Sequence, residues 1–373
     1  MPHTIFDDSE GTLAMLRDSV ATLASRQPGP ASIRAKRAAG ADMDRALWSA
    51  MAQAGWTGIL VAEDLGGAGL SLTEQAVVSE ALGRALISEP LATGAVFASS
   101  LLAQAPASDE RDRLVAGLVD GSLVVAPAWM DVAGRAVSAR AAPDAGYALS
   151  GAKRHVDLAL SATDFLVVAA TDDGFGLFSV PAGGAGLAVE TAAGVDGAAI
   201  GTVRFDQYRL PATALLAKAS SEAGLLDAAV SNARVALAAE LAGIASRAVE
   251  ITIDYTRARV QFGKPIASFQ VVQHRLVDMW SDAEFACAAV VNAVETVVAG
   301  DARAARMAVL AAKARAGDAA VSICRRAVHL HGAMGFTDEC DIGLYLKRAI
   351  SLNATLGQPE DLRLEFVNLE RAA

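Results

Sequence analysis

The amino-acid sequence predicts a mainly helical protein into which one β module is inserted. Helical spacing of apolar residues marks both ends of the chain, whereas the middle contains short apolar runs separated by Gly, Pro and Asp. The 373 residues are enough for two or three domains, and a hydrophobic content of 53% allows a large core. Aromatic residues make up only 5% of the chain, which favours helices that pack through small side chains.

The first predicted domain covers residues 1–121 and is helical. Its apolar side chains recur at intervals of three and four residues, as in Leu47, Trp48, Met51 and Ala52. A glycine-rich segment joins two of these helices, but it has neither of the glycine spacings that cradle a phosphate or a dinucleotide. We therefore expect a simple turn in this segment.

The second predicted domain covers residues 122–216 and is a compact all-β module, similar to a barrel. Turn-forming residues separate its short apolar or alternating runs. These runs are residues 123–125, 147–149, 165–169, 176–180 and 203–206. The last of them ends a few residues before Pro211 and is predicted to be the strand that leaves the module.

The third predicted domain covers residues 217–373 and is a four-helix bundle. The four helices are expected at about residues 222–257, 268–299, 302–330 and 342–354. Their apolar residues at i, i+3, i+4 and i+7 are typical of antiparallel bundles. Such bundles can hold a di-iron site, but no histidine of this chain follows a glutamate by three residues, which excludes the usual Glu-x-x-His ligands.

Composition also limits the partners and the location of the protein. A net charge of -10 and a pI near 5.1 argue against nucleic acid, which binds concentrated basic surfaces. No apolar run approaches the ~20 residues of a membrane span, and the first residues do not resemble a signal peptide. Three cysteines without a C-x-x-C pair indicate a reducing compartment and no metal site. We expect a cytoplasmic protein.

The segment from Arg259 to Gln270 combines a fixed cation with a sharp turn. It begins at the predicted end of the first long bundle helix, where Gly263 and Pro265 stop the helix and turn the chain. A guanidinium in this position can bind phosphate oxygens through two hydrogen bonds. The residue pattern therefore predicts a diphosphate-binding site.

The same segment resembles the R-x-x-F-G-K-P-I-x-x-F-Q signature of the acyl-CoA dehydrogenase family, whose members use it to hold the pyrophosphate of an FAD in the neighbouring subunit. Every defined position and the spacing agree. The resemblance extends over essentially the whole chain and implies the fold described above, assembled through the bundles into a dimer or tetramer. It also implies FAD as cofactor, an acyl-CoA substrate and an electron-transfer flavoprotein as electron acceptor.

A second motif, at residues 329–337, follows the third predicted bundle helix. Its two glycines allow the backbone to approach a ligand closely. It resembles the Q-x-x-G-G-x-G-F-T loop of the same family, which contacts the adenosine end of FAD. His329 stands where the family usually has Gln, and Ala333 replaces the second Gly. Because an imidazole can still donate or accept a hydrogen bond, we predict a retained but modified site.

The resemblance assigns a set of residues to the cofactor and one to the substrate. The residues assigned to FAD are Arg259, Gln261, Phe262, Phe269, Gln270, His329, Gly332 and Ala333. Arg234, on the first long bundle helix, matches a family arginine near the acyl-CoA site.

The reaction of this family requires a carboxylate that removes the α-proton of an acyl thioester. In most relatives this carboxylate is a Glu before a Gly, after the last bundle helix, where this chain has Leu356. In a minority it precedes the arginine that corresponds to Arg234, where this chain has Ala233. Neither side chain can accept a proton, so both usual base positions are empty.

Two acidic residues, Glu360 and Asp361, lie within about one helical turn of Leu356 and could replace the base if the loop folds inward. Pro359 before them is typical of the first position of a helix, and acids are typical of a first turn. We therefore favour a helix start at these residues.

The β module also departs from the family. The T-E-P-x-x-G-S-D loop, which lies against the isoalloxazine ring in relatives, corresponds to residues 125–133, where only the Pro and an Asp survive. The W-I-[TS] segment corresponds to residues 155–157. Only Asp131 and Asp157 are polar candidates here, and an anion beside a reduced flavin is repulsive. We predict that this chain alone makes few hydrogen bonds to a flavin ring.

The sequence thus predicts an acyl-CoA dehydrogenase subunit that uses FAD to convert an acyl-CoA into a trans-2-enoyl-CoA. Because both base positions are empty, we expect a base-bearing partner, as in relatives that pair two kinds of subunit to act on steroid or terpenoid side-chain thioesters. Two alternatives stay open. In the first alternative, the chain is a self-sufficient homo-oligomer that uses Glu360 or Asp361 as the base. In the second, it is a non-catalytic scaffold that binds FAD or acyl-CoA.

Overall fold

The structure is a computed structural model that describes residues 1–142 and 146–371. The chain forms two compact units, and both are discontinuous in sequence. Unit 1 consists of Met1–Arg34, Leu72–Ser88 and Arg234–Ala373, and unit 2 consists of Ala35–Ser71 and Glu89–Ala233. The three consecutive domains at residues 1–121, 122–216 and 217–373 stay predictions.

Helices dominate both ends of the described chain, as the sequence predicts. The N-terminal helices are α1 (Thr12–Arg26), α2 (Gly29–Ala39), α3 (Arg45–Gln53), α4 (Leu72–Ala85), α5 (Phe97–Leu102) and α6 (Asp109–Asp120). The C-terminal helices are α7 (Glu222–Ala258), α8 (Gln270–Ala299), α9 (Ala302–His331), α10 (Ile342–Ala354) and α11 (Pro359–Arg371).

The four predicted bundle helices correspond to α7 to α10, and α11 is an additional helix. The boundaries agree within two residues. The largest difference is the start of α8, because the three residues before Phe269 form a 3₁₀ turn. Pro359 occupies the first position of α11, where its missing N–H costs nothing.

Local capping explains the tight connection between α8 and α9. Gly300 ends α8 with a φ of 86°, a left-handed conformation that glycine adopts without steric cost. The Asp301 carboxylate then accepts hydrogen bonds from the backbone N–H groups of Arg303 and Ala304, both at 3.0 Å, and starts α9. The two long helices are therefore joined by only two residues.

Two glycines allow α4 and α7 to cross with their backbones in contact. A Cβ atom on Gly83 would lie 2.1 Å from the Glu240 carbonyl oxygen, and one on Gly243 would lie 2.0 Å from that of Glu80. Beside this crossing, the buried Glu240 carboxylate accepts two hydrogen bonds from Arg348 of α10, at 3.0 and 2.8 Å. These contacts fix α4, α7 and α10 within unit 1.

Unit 2 contains an eight-stranded, mostly antiparallel sheet. Its strands are β1 (Val125–Ala128), β2 (Ser138–Ala141), β3 (Tyr147–Val156), β4 (Asp164–Thr171), β5 (Gly174–Pro181), β6 (Leu187–Ala193), β7 (Ala199–Leu210) and β8 (Leu215–Ala219). The strand order is β6-β7-β3-β2-β4-β5-β8, and β1 pairs in parallel with β4.

The predicted fold class, mainly helical with an inserted β module, is confirmed. Each of the five predicted runs overlaps one of the strands in the sheet. Across the described parts of the chain, no helix combines the length and the apolar character that crossing a membrane requires.

Candidate functional site

The Arg259 segment forms a small hairpin at the end of α7. The Arg259 N–H donates to the Tyr255 carbonyl in the last turn of the helix, at 2.8 Å. Strands β9 (Val260–Gln261) and β10 (Lys264–Pro265) then pair antiparallel. The two residues between them have positive φ angles, 53° and 77°, as in a type I′ turn. This hairpin, residues 259–266, is called the clamp hairpin below.

The side chains of the clamp hairpin point into solvent. Phe262 is 91% exposed, and its ring meets the edge of Phe269 at a centroid distance of 6.2 Å. The Lys264 ammonium lies 4.3 Å from the centre of the Phe269 ring. Within the described chain, the exposed Arg259 side chain has no hydrogen bond or ion pair. Its guanidinium therefore keeps its full capacity to bind an anion.

The other two residues assigned to the cofactor in this segment are also on the surface. Gln261 is exposed and its side-chain amide donates to the Val260 carbonyl, at 2.8 Å. Gln270 is exposed at the first position of α8. Together with Arg259 and Phe262 they form one exposed surface around the turn.

The second motif forms the end of α9 and the 3₁₀ turn that follows. Gly332 has a φ of 61° and its N–H donates to the His329 carbonyl, which ends the helix. His329 and Ala333 are exposed. Phe336 is 82% exposed and completes the turn. The segment 332–337 is called the clamp loop below.

A glycine is required inside the clamp loop for a steric reason. Gly335 is buried, and a Cβ atom there would lie 2.6 Å from the Val328 carbonyl oxygen. The turn can therefore pack against the last turns of α9 only without a side chain at this position.

The loop at the usual base position is fixed by two cationic side chains. Leu356 is only 7% exposed and has a φ of 56°, a conformation that is uncommon for residues other than glycine. The Arg234 guanidinium donates to the Leu356 carbonyl through Nε, at 2.9 Å. The Lys313 ammonium donates to the carbonyls of Asn353 and Gly357, at 3.2 and 3.5 Å. Residues 353–357 are called the Leu356 loop below.

Lys313 is fully buried on α9, and its charge is unfavourable there. Burial, reinforced by the nearby Arg234 guanidinium, lowers the pKa of Lys313 to about 7, while Asp318 acts in the opposite direction. The two carbonyl acceptors belong to the end of α10 and to the residue after Leu356. The Lys313 side chain therefore holds the loop through these hydrogen bonds and does not face solvent.

The acidic residues that follow the Leu356 loop lie on α11. Glu360 and Asp361, the predicted candidates, are exposed in the first turn of α11, as the proline-acid pattern predicts. Glu365, one helical turn further, lies 3.7 Å from the Arg234 guanidinium. Arg306 binds the other Glu365 oxygen through two nitrogens, at 3.0 and 2.7 Å.

The alternative base position is also apolar and enclosed. Ala233 is fully buried on α7 and precedes Arg234 in sequence. The side chain of Arg234, assigned to the substrate from the resemblance, is 17% exposed and contacts Leu356 and Glu365. Its role towards the substrate stays a prediction.

In the β module, Asp131 is committed to an internal ion pair. The buried Lys153 ammonium lies 2.7 Å from the Asp131 carboxylate and donates to the Trp129 carbonyl at 2.8 Å. The same carboxylate oxygen accepts the Val137 N–H at 3.0 Å. Burial lowers the pKa of Lys153, an effect that the Asp131 charge opposes. The Asp131 carboxylate is thus engaged in contacts within the chain.

Sequence reasoning missed four residues of this region. They are Tyr255, Lys313, His331 and Glu365. Tyr255 lies four residues before Arg259, so helical spacing could have indicated it. Lys313 interrupts a run of alanines on α9, which was a visible signal of an unusual buried cation. Nothing in the local sequence singles out Glu365.

Two family models match the chain. The model described as acyl-CoA dehydrogenase, N-terminal domain, matches residues 11–122, and the model described as acyl-CoA dehydrogenase, C-terminal domain, matches residues 224–365. They cover the N-terminal helical part and most of the C-terminal helices described above.

Similar proteins agree with these models. The acyl-CoA dehydrogenase IpdE2 of Mycobacterium tuberculosis is 31% identical, covering 94% of this chain and 95% of the relative. A solved steroid ACAD, Tcur3481-Tcur3483, is 30% identical with a TM-score of 0.85, covering 96% and 98% of the two chains. The ChsE4-ChsE5 complex from Mycobacterium tuberculosis is 26% identical with a TM-score of 0.89, covering 99% of each chain. This chain belongs to the acyl-CoA dehydrogenase family.

Proposed function

We propose that this chain is the FAD-clamping, base-lacking subunit of a two-component acyl-CoA dehydrogenase. With a partner that supplies the carboxylate, the complex oxidises an acyl-CoA to a trans-2-enoyl-CoA and passes electrons to an electron-transfer flavoprotein. The observation that carries the proposal is a contrast between two positions. Arg259 is exposed and unpaired within the described chain, whereas the usual base position holds Leu356, which is buried in a hydrogen-bonded loop.

Proteins of this family bind FAD, and the described residues fit one half of that cofactor. Arg259 offers a free guanidinium for the diphosphate, and the exposed His329 and the Gly332 backbone offer polar groups for the adenosine. The ring-binding half fits poorly, because strand β1 is apolar and Asp131 is paired with Lys153. When bound, FAD accepts the β-hydride of the substrate. We therefore assign cofactor binding, and no step of the chemistry, to this chain.

The acidic residues near the Leu356 loop support assigning proton abstraction to the partner. Glu360 and Asp361 are exposed on α11, where their charges favour the N-terminus of that helix. One oxygen of Glu365 accepts hydrogen bonds from Arg306, and the other lies 3.7 Å from the Arg234 guanidinium. A base must have a free oxygen within hydrogen-bond reach of the proton that it removes. Glu365 is held in ion pairs, and Glu360 and Asp361 lie exposed on α11 rather than in the loop, which favours a base from the partner subunit.

The relatives support both a partner and a substrate class. Two similar solved structures carry two-component names, and one of them is described as a steroid ACAD. We infer a hetero-oligomer, a dimer or tetramer assembled through bundle helices, that acts on an acyl-CoA with a bulky ring system. We also infer a cytoplasmic location, because the three cysteines are free thiols, which a reducing compartment favours.

The test compares the chain alone with the chain co-expressed with a paralogue that carries the Glu-Gly loop. Flavin content is measured first, and turnover is then followed with an artificial electron acceptor on acyl-CoAs that range from butyryl-CoA to a steroid side-chain thioester. We expect the complex to exceed the isolated chain by roughly 10²–10⁴-fold, the usual contribution of positioned proton transfer.

Two other outcomes separate the alternatives. Robust turnover by the isolated chain that disappears in Glu360→Gln or Asp361→Asn identifies a self-sufficient enzyme and contradicts the proposal. Binding of FAD or acyl-CoA without turnover in any combination identifies a scaffold, which also contradicts it.

A further inference from the structure

Tyr255 contacts both segments that we assign to the cofactor. Its backbone carbonyl accepts the N–H of Arg259, at 2.8 Å, and so anchors the start of the clamp hairpin. Its hydroxyl donates to the carbonyl of His331, at 3.1 Å, one residue before the clamp loop. Its ring also stacks on the His331 imidazole, with a centroid distance of 4.2 Å and an interplanar angle of 21°.

His331 is itself held in one orientation. It is 4% exposed, and its Nδ1 lies 2.8 Å from the Ala327 carbonyl oxygen. Because a carbonyl can only accept, Nδ1 carries the proton in this contact. Burial lowers the pKa of His331, so the imidazole is neutral at neutral pH. The contact is therefore a stack of two neutral aromatic rings, fixed by a hydrogen bond from each residue.

The pair lies at the wall of a cavity. Tyr255 and His331 form part of the wall of a cavity of about 1070 Å³, which α1, α4 and α10 also line. Side chains in a close-packed core are held by contacts all around, whereas a ring on a cavity wall lacks them on one face. The two hydrogen bonds and the stack therefore help to hold both rings in place beside the cavity.

We propose that the Tyr255–His331 pair is a positioning unit that sets the separation between the clamp hairpin and the clamp loop, so that both meet one FAD without further adjustment. This inference rests on the proposed function. Both residues act through their neighbours, Arg259 and Gly332, and they are positioning residues. Segments that are held at the right spacing before binding lose less conformational freedom when the ligand arrives, which raises affinity.

The first test needs no cofactor. Hydrogen–deuterium exchange is measured on the full chain for wild type, Tyr255→Phe and Tyr345→Phe. Tyr345 is a matched control, because it lines the same cavity and its hydroxyl donates to the Arg84 carbonyl at 2.7 Å. We expect Tyr255→Phe to increase exchange in residues 332–337, while Tyr345→Phe leaves both clamp segments unchanged. Equal exchange in the two variants overturns the proposal.

The reciprocal variant tests coupling in the other direction. His331→Leu removes the stack and the Nδ1 hydrogen bond on α9. We expect faster exchange in the clamp hairpin, residues 259–266, although no residue of that hairpin is changed. An effect confined to residues around position 331 contradicts the coupling.

The second test measures FAD affinity of the purified oligomer. Tyr255→Phe loses one hydroxyl hydrogen bond and is expected to weaken FAD binding by about fivefold. Tyr255→Leu also loses the ring stack and should weaken binding further. The FAD affinity of the control Tyr345→Phe should stay within about twofold of wild type. Thermal unfolding serves as a check, since both Phe variants lose one hydroxyl-carbonyl bond. Equal FAD affinities for Tyr255→Phe and Tyr345→Phe at matched stability overturn the inference.

Failure of the proposed function can be told apart from failure of this inference. If Arg259→Ala leaves FAD affinity unchanged, the assignment of the clamp is wrong, and the exchange experiment still decides whether Tyr255 couples the two segments. If Arg259→Ala weakens FAD binding but Tyr255→Phe changes neither exchange nor affinity, the clamp assignment holds and the positioning unit is wrong.

Discussion

The clamp hairpin and the Leu356 loop both follow a bundle helix, but they are held in different ways. The hairpin is closed by backbone hydrogen bonds, and its cation, Arg259, extends into solvent without a partner in the described chain. In the Leu356 loop, Arg234 and Lys313 donate to backbone carbonyls, and the Leu356 side chain is buried. The cation of the hairpin has hydrogen-bond donors available for a ligand, whereas the cations at the Leu356 loop donate to the backbone of the protein itself.

This difference shows how to read a cation in a candidate site. A guanidinium with free donors can bind a phosphate, and removing it affects ligand affinity. A guanidinium or ammonium that already satisfies buried carbonyls contributes to folding, because its removal leaves those oxygens without a partner. Removing a cationic side chain is therefore expected to lower ligand affinity at the clamp hairpin and folding stability at the Leu356 loop.

The largest effect is expected from restoring a carboxylate in the Leu356 loop. Leu356→Glu places a proton acceptor at the usual base position, and we expect it to raise acyl-CoA turnover of a complex whose partner base has been removed. It should recover part of the roughly 10²–10⁴-fold contribution of proton transfer. Leu356→Gln is the matched control, with similar shape and no basic oxygen. Equal turnover of the two variants contradicts the assignment of this position.

The second prediction concerns Arg234 as a structural cation. Arg234→Met removes the donor to the Leu356 carbonyl and a charge beside Glu365, and we expect it to lower the free energy of unfolding by about 1.5–3 kcal/mol. Arg303→Met is the control, because Arg303 donates to the Leu369 carbonyl at 2.7 Å in an exposed position. Denaturant unfolding measures both. Unchanged stability with weaker acyl-CoA binding would instead favour the predicted substrate role.

The third prediction is the counterpart in the clamp hairpin. Arg259→Ala is expected to weaken FAD binding by roughly 10- to 100-fold, as loss of a charge-assisted hydrogen bond of about 1.5–3 kcal/mol requires. Its free energy of unfolding should stay within about 0.5 kcal/mol of wild type, since the side chain is exposed. The control is Arg257→Ala, an exposed arginine two residues earlier. If Arg259→Ala retains wild-type affinity in flavin titrations, the clamp assignment is wrong.

The last prediction is a pH dependence that comes from Lys313, and its effect is spread over several pH units. Its pKa is about 7 in the folded chain and near 10.5 when unfolded, so the unfolded chain binds more protons between these values. Stability from this group is complete above pH 10.5 and is lost as the pH falls towards 7, by at most about 1.4 kcal/mol per pH unit. Unfolding of wild type and Lys313→Met across this range isolates the contribution. Parallel curves for the two proteins would show that the ammonium is not destabilised by burial.

The clamp hairpin could be predicted from sequence because its determinants are local. Arg259, Gly263 and Pro265 lie within seven residues, and the turn chemistry of such a segment does not depend on the rest of the fold. The helices and strands were predictable for the same reason, since their apolar spacing is a local property.

The anchoring of the Leu356 loop could not be predicted in this way. Arg234 and Leu356 are 122 residues apart, and Lys313 and Asn353 are 40 apart. Contacts of this kind depend on which faces of the helices meet, and helical spacing does not specify the partner of each face. Tyr255 and His331, separated by 76 residues, were missed for the same reason.

The positive φ of Phe262 has a consequence for how this chain evolves. The first residue of a type I′ turn is most stable as Asn, Asp or Gly, and a bulky side chain there costs local free energy. Selection for folding stability alone would replace Phe262. Because its ring is exposed to water, a smaller residue would lose little buried apolar surface. If Phe262 contacts FAD, as we propose, the aromatic side chain trades part of the small stability margin of the chain for recognition.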